Sequence, residues 1–155
     1  MAVYKKLVNY LEKNQIKYEP MAHKTVYTVY DLAQTTGLKL SEIAKTLVVK
    51  VDKGYALAVL LASQRLDLNK LKKLAKAKKV EIPKEKVMEK IFRIKPGTIT
   101  PFGSLYKVPV YFEKGLTKST KIVISGGSYT DSVKIKTSDF LKLEKPMVGI
   151  FGKKK

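Results

Sequence analysis

Lys95-Pro96-Gly97-Thr98-Ile99-Thr100-Pro101-Phe102-Gly103 divides the chain into a helix-rich half before it and a strand-rich half after it. The stretch holds two of the nine glycines and two of the six prolines. Pro96 and Pro101 have no backbone donor and a fixed φ, which stiffens the loop at both ends. Gly97 exposes backbone that a side chain would otherwise shield. A stiff loop with bare amides, flanked here by the hydroxyls of Thr98 and Thr100, can hold an oxyanion or a carbonyl oxygen. The same composition also suits an ordinary tight connection.

Working back from the loop, Pro83 opens a helix to about Ile91, since proline is well placed in a first turn. Val80 to Ile82 reads as a short strand. Asp67 or Asn69 caps a lysine-rich helix running to about Lys78, with Leu71, Leu74 and Ala75 inward. Thr46–Val51 and Tyr55–Leu61 are apolar, β-branched runs around the turn Asp52-Lys53-Gly54. They predict an antiparallel hairpin buried on both faces. Ser41 caps one further turn through Ala44. Thr28-Val29-Tyr30-Asp31 has the form of a capping box for a helix that stops at Gly37. Ile16 to Glu19 is extended, and residues 3–14 show apolar positions at helical spacing.

Forward from the loop, Val108 to Phe112 and Lys121 to Ser125 read as strands, the second ending at Gly126-Gly127. Val133 to Lys136 alternates like an edge strand, and Ser138-Asp139 opens a helix through Leu143. Residues 1–150 are expected to form one domain and 151–155 a loose basic tail. This mixture predicts a single-domain α/β fold, a mixed, β-barrel-like sheet flanked by helices.

The 155 residues suffice for one substantial core. With no cysteine, disulfides, thiol nucleophiles and thiolate metal sites are excluded. His23 is the only histidine, which argues against a histidine-built metal centre or a serine–histidine triad. No cofactor or metal is expected. No long apolar run suggests a membrane span or a signal core, so the expected location is the cytoplasm, with no membrane partner. Lys and Arg total 32 against 13 Asp and Glu, a formal charge of +19. Such a surplus attracts polyanions, RNA foremost; a lysine-rich surface of thermophilic type is the alternative source.

Three stretches carry chemistry. Ala44-Lys45-Thr46-Leu47-Val48-Val49 places an ammonium and a hydroxyl where a loop enters a buried strand. The central loop follows about fifty residues later. Val123-Ile124-Ser125-Gly126-Gly127-Ser128 ends a strand in a flexible turn. In this order and spacing, Lys-Thr-Leu-Val-Val, Gly-x-x-x-Pro-Phe-Gly and a terminal Ser-Gly-Gly resemble the YbaK family. That family comprises Cys-tRNA(Pro) deacylases, related to the editing domain of bacterial prolyl-tRNA synthetases and to free-standing Ala-tRNA(Pro) deacylases. The resemblance runs from the first helix to Leu143.

The resemblance implies a free-standing hydrolase of the ester on mischarged tRNA, acting on tRNA(Pro) bearing a small amino acid such as Cys, Ala or Ser. Its partners would be the tRNA and an aminoacyl-tRNA synthetase. Lys45 would approach the phosphate beside the terminal adenosine, with Thr46 next to it. Gly97, Thr98, Ile99 and Pro101 would hold the aminoacyl group with backbone amides, with Lys45 and Gly97 the catalytic pair. Ser125 and Gly126 would lie near the same pocket, with Val26, Tyr27, Tyr30 and His23 as walls. Many relatives continue Ser-Gly-Gly with an arginine and a further glycine; Tyr129 and Thr130 stand there instead. A non-catalytic RNA-binding or synthetase-associated module is the alternative.

Overall fold

The computed structural model of the chain describes residues 4–95 and 97–154. Pro96, one of the two stiffening prolines, and Val3, in the expected first helix, lie outside the described residues. In chain order the elements are α1 (Lys5–Lys13), β1 (Tyr18–Ala22), α2 (Val29–Thr36), β2 (Ala44–Val51), β3 (Gly54–Leu61), β4 (Gln64–Leu66), α3 (Leu68–Ala75) and β5 (Val80–Glu81). They continue with α4 (Glu85–Phe92), β6 (Val110–Glu113), β7 (Lys121–Ser128), β8 (Asp131–Lys136), α5 (Thr137–Glu144), β9 (Met147–Gly149) and β10 (Gly152–Lys154).

The expected hairpin is β2–β3, antiparallel, with Thr46 opposite Val59 and Val51 opposite Gly54. Its near-continuous apolar run has a direct cause. Leu57 and Val59 face a core with Phe102, Phe112 and Phe140, while Ala56, Ala58 and Leu60 face a second with Leu71 and Phe151. A strand covered on both sides keeps no polar alternation. β3 is therefore the middle of a five-stranded sheet ordered β5-β2-β3-β6-β9, mixed because β3, β6 and β9 run parallel.

A second, three-stranded antiparallel sheet is ordered β1-β8-β7. The two sheets meet at one bridge, Ile43 to Val123, just before β2 begins. They do not close, so the barrel-like sheet expected from the sequence is an open arrangement. β8 lies between β1 and β7 and is not an edge. Its alternation reports one buried face, which an inner and an edge strand can share.

The C-terminus also departs from expectation. Phe151 is fully buried, and β10 pairs with β4. The buried Glu113 carboxylate accepts the Phe151 and Gly152 N–H groups at 3.3 and 3.2 Å, as well as that of Gly115. A lysine-rich ending reads as solvated tail; one apolar anchor and one buried acceptor turn it into a strand.

Helix ends follow their capping residues. Thr28 accepts the Asp31 N–H at 3.1 Å, and α2 stops at Gly37. Asp67 rather than Asn69 caps α3, accepting from Asn69 and Lys70 at 3.1 Å each. α3 ends at Ala75, short of Lys78, because Lys76 turns left-handed and Asp52 takes the Lys78 and Lys79 N–H groups at 2.9 Å.

Candidate active site

The seam between the two sheets opens into a cleft of about 220 Å³. The start of β2 supplies Ala44, Lys45, Thr46 and Leu47; β7 supplies Ile124, Ser125 and Ser128. Gly97 and Ile99 enter from the central loop, and Tyr27, Val29 and Leu32 from the start of α2. Three stretches far apart in sequence therefore converge, as the family resemblance implied. A smaller apolar annex of about 190 Å³ adjoins, sharing Thr46, Leu47, Gly97 and Ile99 and walled by Ile82, Met88 and Ile94.

The loop is fastened at each point. Gly97 has φ +82°, and a Cβ there would stand 2.9 Å from the Tyr27 carbonyl oxygen. Thr98 donates its N–H and its hydroxyl to the Lys95 carbonyl, at 3.1 and 2.7 Å. Ser125 Oγ donates to the Thr98 carbonyl at 3.1 Å and accepts the Gly127 N–H at 3.2 Å. The Thr100 N–H donates to the Tyr106 hydroxyl at 3.1 Å, and that ring packs edge-on against Phe92 at 5.5 Å. Pro101 is buried behind it. Among the described residues, the N–H groups of Gly97 and Ile99 have no acceptor, in contrast to those of Thr98 and Thr100.

Most polar side chains of the cleft are already engaged. Ser128 donates to the buried Asp131 carboxylate at 2.8 Å, and Thr130 adds a second bond at 3.1 Å. His23 Nδ1 lies 2.8 Å from the Lys24 carbonyl and Nε2 2.9 Å from Ser132 Oγ. A carbonyl only accepts, so Nδ1 carries the proton and Nε2 takes the serine's. Thr46 is half-buried, and its hydroxyl has no partner among the described residues. Lys45 donates to the Gln64 carbonyl on β4. Burial holds its pKa below the ordinary 10.5, because desolvation disfavours the charged form. No group of three or more His, Cys, Asp or Glu among the described residues is arranged to hold a metal ion.

Of the residues singled out from sequence, Lys45, Thr46, Gly97, Ile99, Ser125, Tyr27 and His23 line the cleft. Four do not. Thr98 and Pro101 brace the loop from behind, and Tyr30 sits on the outer side of α2, 43% exposed. Gly126 is buried and gives its carbonyl to the Tyr4 N–H at 2.8 Å, fixing the entry to α1. Sequence reasoning missed Asp131 and its attendant hydroxyls. The signal was the run Ser128-Tyr129-Thr130-Asp131-Ser132, in which three hydroxyls bracket one carboxylate.

The family model for the aminoacyl-tRNA editing domain matches residues 23–143. The prolyl-tRNA editing protein ProX of Acetoanaerobium sticklandii is 25% identical over 141 residues, covering 87% of this chain and 86% of that protein. The multifunctional Ser/Thr-tRNA deacylase ProXp-y of Escherichia coli is 26% identical over 152 residues, covering 92% and 89%. A solved structure of a candidate trans-editing enzyme for prolyl tRNA synthetase superposes with a TM-score of 0.82 at 21% identity, covering 96% of each chain. With its cleft built from the three motif stretches and most of its length matched, the chain belongs to the aminoacyl-tRNA editing domain family.

Proposed function

We propose that the protein is a free-standing aminoacyl-tRNA deacylase that clears small, wrongly attached amino acids from tRNA, and that it works in the cytoplasm beside the synthetase that makes the error. The observation that carries this reading is the pair of N–H groups, Gly97 and Ile99, without an acceptor among the described residues, at the wall of a cleft whose other polar groups are mostly committed. Such donors stabilise the oxyanion that forms when water adds to an ester carbonyl, and a fixed loop spends no reorganisation on doing so.

The nearest approach to a nucleophile–base pair in the cleft is Ser132 on His23, and Ser132 is buried, so it is not a ready nucleophile. The Ser125 proton is given to Thr98, that of Ser128 to Asp131, and the basic nitrogen of His23 is occupied by Ser132. An aminoacyl ester is activated enough not to need one. Water attacks the carbonyl carbon, the bond to the ribose oxygen breaks, and that oxygen takes the proton. The neighbouring ribose hydroxyl helps to position the water. The protein contributes orientation and charge.

Lys45 fits the phosphate-holding role. Its partly desolvated ammonium meets an anion in a lower effective dielectric than a surface lysine does, so the attraction is stronger. Reaching a phosphate means exchanging the Gln64 carbonyl for a charged acceptor. The apolar annex would take the amino-acid side chain. Relatives that edit prolyl-tRNA and deacylate Ser/Thr-tRNA share this scaffold. A methylene is worth about 1–3 kcal/mol in an apolar pocket, so fine substrate choice rests on small differences of volume.

The test is Lys45→Ala against Lys72→Ala, the latter an exposed lysine on α3. A charge-assisted hydrogen bond contributes roughly 1.5–3 kcal/mol, about ten- to a hundredfold in rate. Lys45→Ala should lose that much deacylation with tRNA affinity little changed, Lys45→Arg should recover only part, and Lys72→Ala should do neither. Equal slowing by both alanine variants would reduce Lys45 to one more solvated charge.

A further inference from the structure

Residues Ile94, Lys95 and Thr98 have a second face. Behind the central loop lies another cleft, of about 360 Å³, in which they meet Tyr4, Arg93 and Tyr129. Ser128 lines both clefts, so the two meet at the turn between β7 and β8. Tyr4 is seated there by the paired glycines. Its N–H donates to Gly126, and a Cβ on Gly127 would collide with the Tyr4 side chain. Tyr129 packs edge-on against Tyr27 with ring centroids 4.8 Å apart, which sets its plane at the mouth of the first cleft. Arg93 holds a left-handed conformation (φ +54°) at the C-terminal end of α4 and so turns the chain into this wall. It is one of only two arginines among 32 basic residues. The acidic Glu85 and Glu89 line the adjoining apolar annex, close enough to Tyr129 that, after burial, they help raise the pKa of its hydroxyl, so the cations of this wall also offset their charge.

Aromatic faces beside an arginine and a lysine, in a groove open to solvent, are what a single-stranded nucleotide requires: a surface to stack its base and a cation for its phosphate. We propose that the second cleft takes the base and phosphate of the nucleotide preceding the esterified adenosine, with Tyr129 stacking and Arg93 pairing. This rests on the deacylase reading of the first cleft. It also accounts for the departure at position 129. A tyrosine stands at that position, and the cation comes from Arg93 across the groove. The tRNA end then straddles the central loop, its ester before Gly97 and Ile99 and its penultimate base behind.

The test compares hydrolysis of alanyl and seryl esters of adenosine monophosphate with the same esters of the 5′-phosphorylated dinucleotide pCpA. Stacking of one base predicts that kcat/KM favours the dinucleotide by about tenfold or more. That ratio should fall towards one in both Arg93→Gln and Tyr129→Leu, each checked for folding by thermal melting. A ratio near one in the unaltered protein, or a ratio untouched in either variant, overturns the proposal. If neither ester is hydrolysed, a fluorescence titration with pCpA decides the cleft, and the deacylase reading is judged separately on charged tRNA. Binding that is weakened in both variants supports the nucleotide site, and absence of binding refutes it.

Discussion

Gly97→Ala separates what the central loop does from how it is built. At φ +82° any other L-residue is strained by about 1–2 kcal/mol. In addition the new Cβ would lie 2.9 Å from the Tyr27 carbonyl oxygen, a backbone atom at the entry to α2 that cannot simply swing aside. The loop or the helix entry must shift by a few tenths of an ångström, and with it the Gly97 N–H. Losing one aligned oxyanion donor costs about 10²–10³ in turnover. Gly37 supplies the control. Its φ is +75°, yet a Cβ there meets nothing within 4 Å. Gly37→Ala should therefore lose a comparable 1–2 kcal/mol of stability and keep its deacylation rate. Gly97→Ala should lose at least as much stability and about a hundredfold or more in kcat. Gly97→Val should be worse on both counts. Urea unfolding and single-turnover deacylation on the same preparations check this. Equal turnover in the two alanine variants would show that the loop is only a connection.

Two further outcomes are expected. tRNA affinity should fall steeply and linearly on a log–log plot against salt, because lysines displace counterions from phosphates; a flat response would detach the +19 charge from tRNA binding. The pH profile, corrected for spontaneous ester hydrolysis, should decline on its alkaline side below 10.5, since burial lowers the pKa of Lys45 and its ammonium is lost earlier than an ordinary lysine's. The same shift makes the unfolded chain bind more protons, so Lys45's contribution to stability rises with pH through that window and is least below the lowered pKa. Lys45→Met should remove both effects, and an unaltered alkaline limb in that variant would assign it to another group.

The hairpin and the α2 cap were legible because each rests on local chemistry, β-branched runs and a hydroxyl cap, whereas the convergence of the Lys-Thr, central-loop and Ser-Gly-Gly stretches was legible only through the family that their order and spacing resemble. What escaped were features decided by distant partners. Glu113 looks like any strand-end carboxylate until Phe151 and Gly152 dock on it. β8 cannot be placed inside its sheet until β1 is known to cover its outer side. Gly126 and Gly127 read as a turn near substrate, whereas one fixes the entry to α1 and the other makes room for Tyr4. Thr98 and Pro101 belong to the right loop but do not line the cleft: Thr98 folds back on the Lys95 carbonyl and Pro101 is buried, which only the folded loop reveals.

Incubation of the purified protein with tRNA(Pro) charged with cysteine, alanine, serine or proline, and with tRNA(Cys) and tRNA(Ala) carrying their own amino acids, tests the central claim most directly. The account predicts multiple-turnover release of at least one small amino acid from tRNA(Pro), with prolyl-tRNA(Pro) spared. Release no faster than the spontaneous rate across the whole panel, by a protein that still binds tRNA, would contradict it and leave an RNA-binding module.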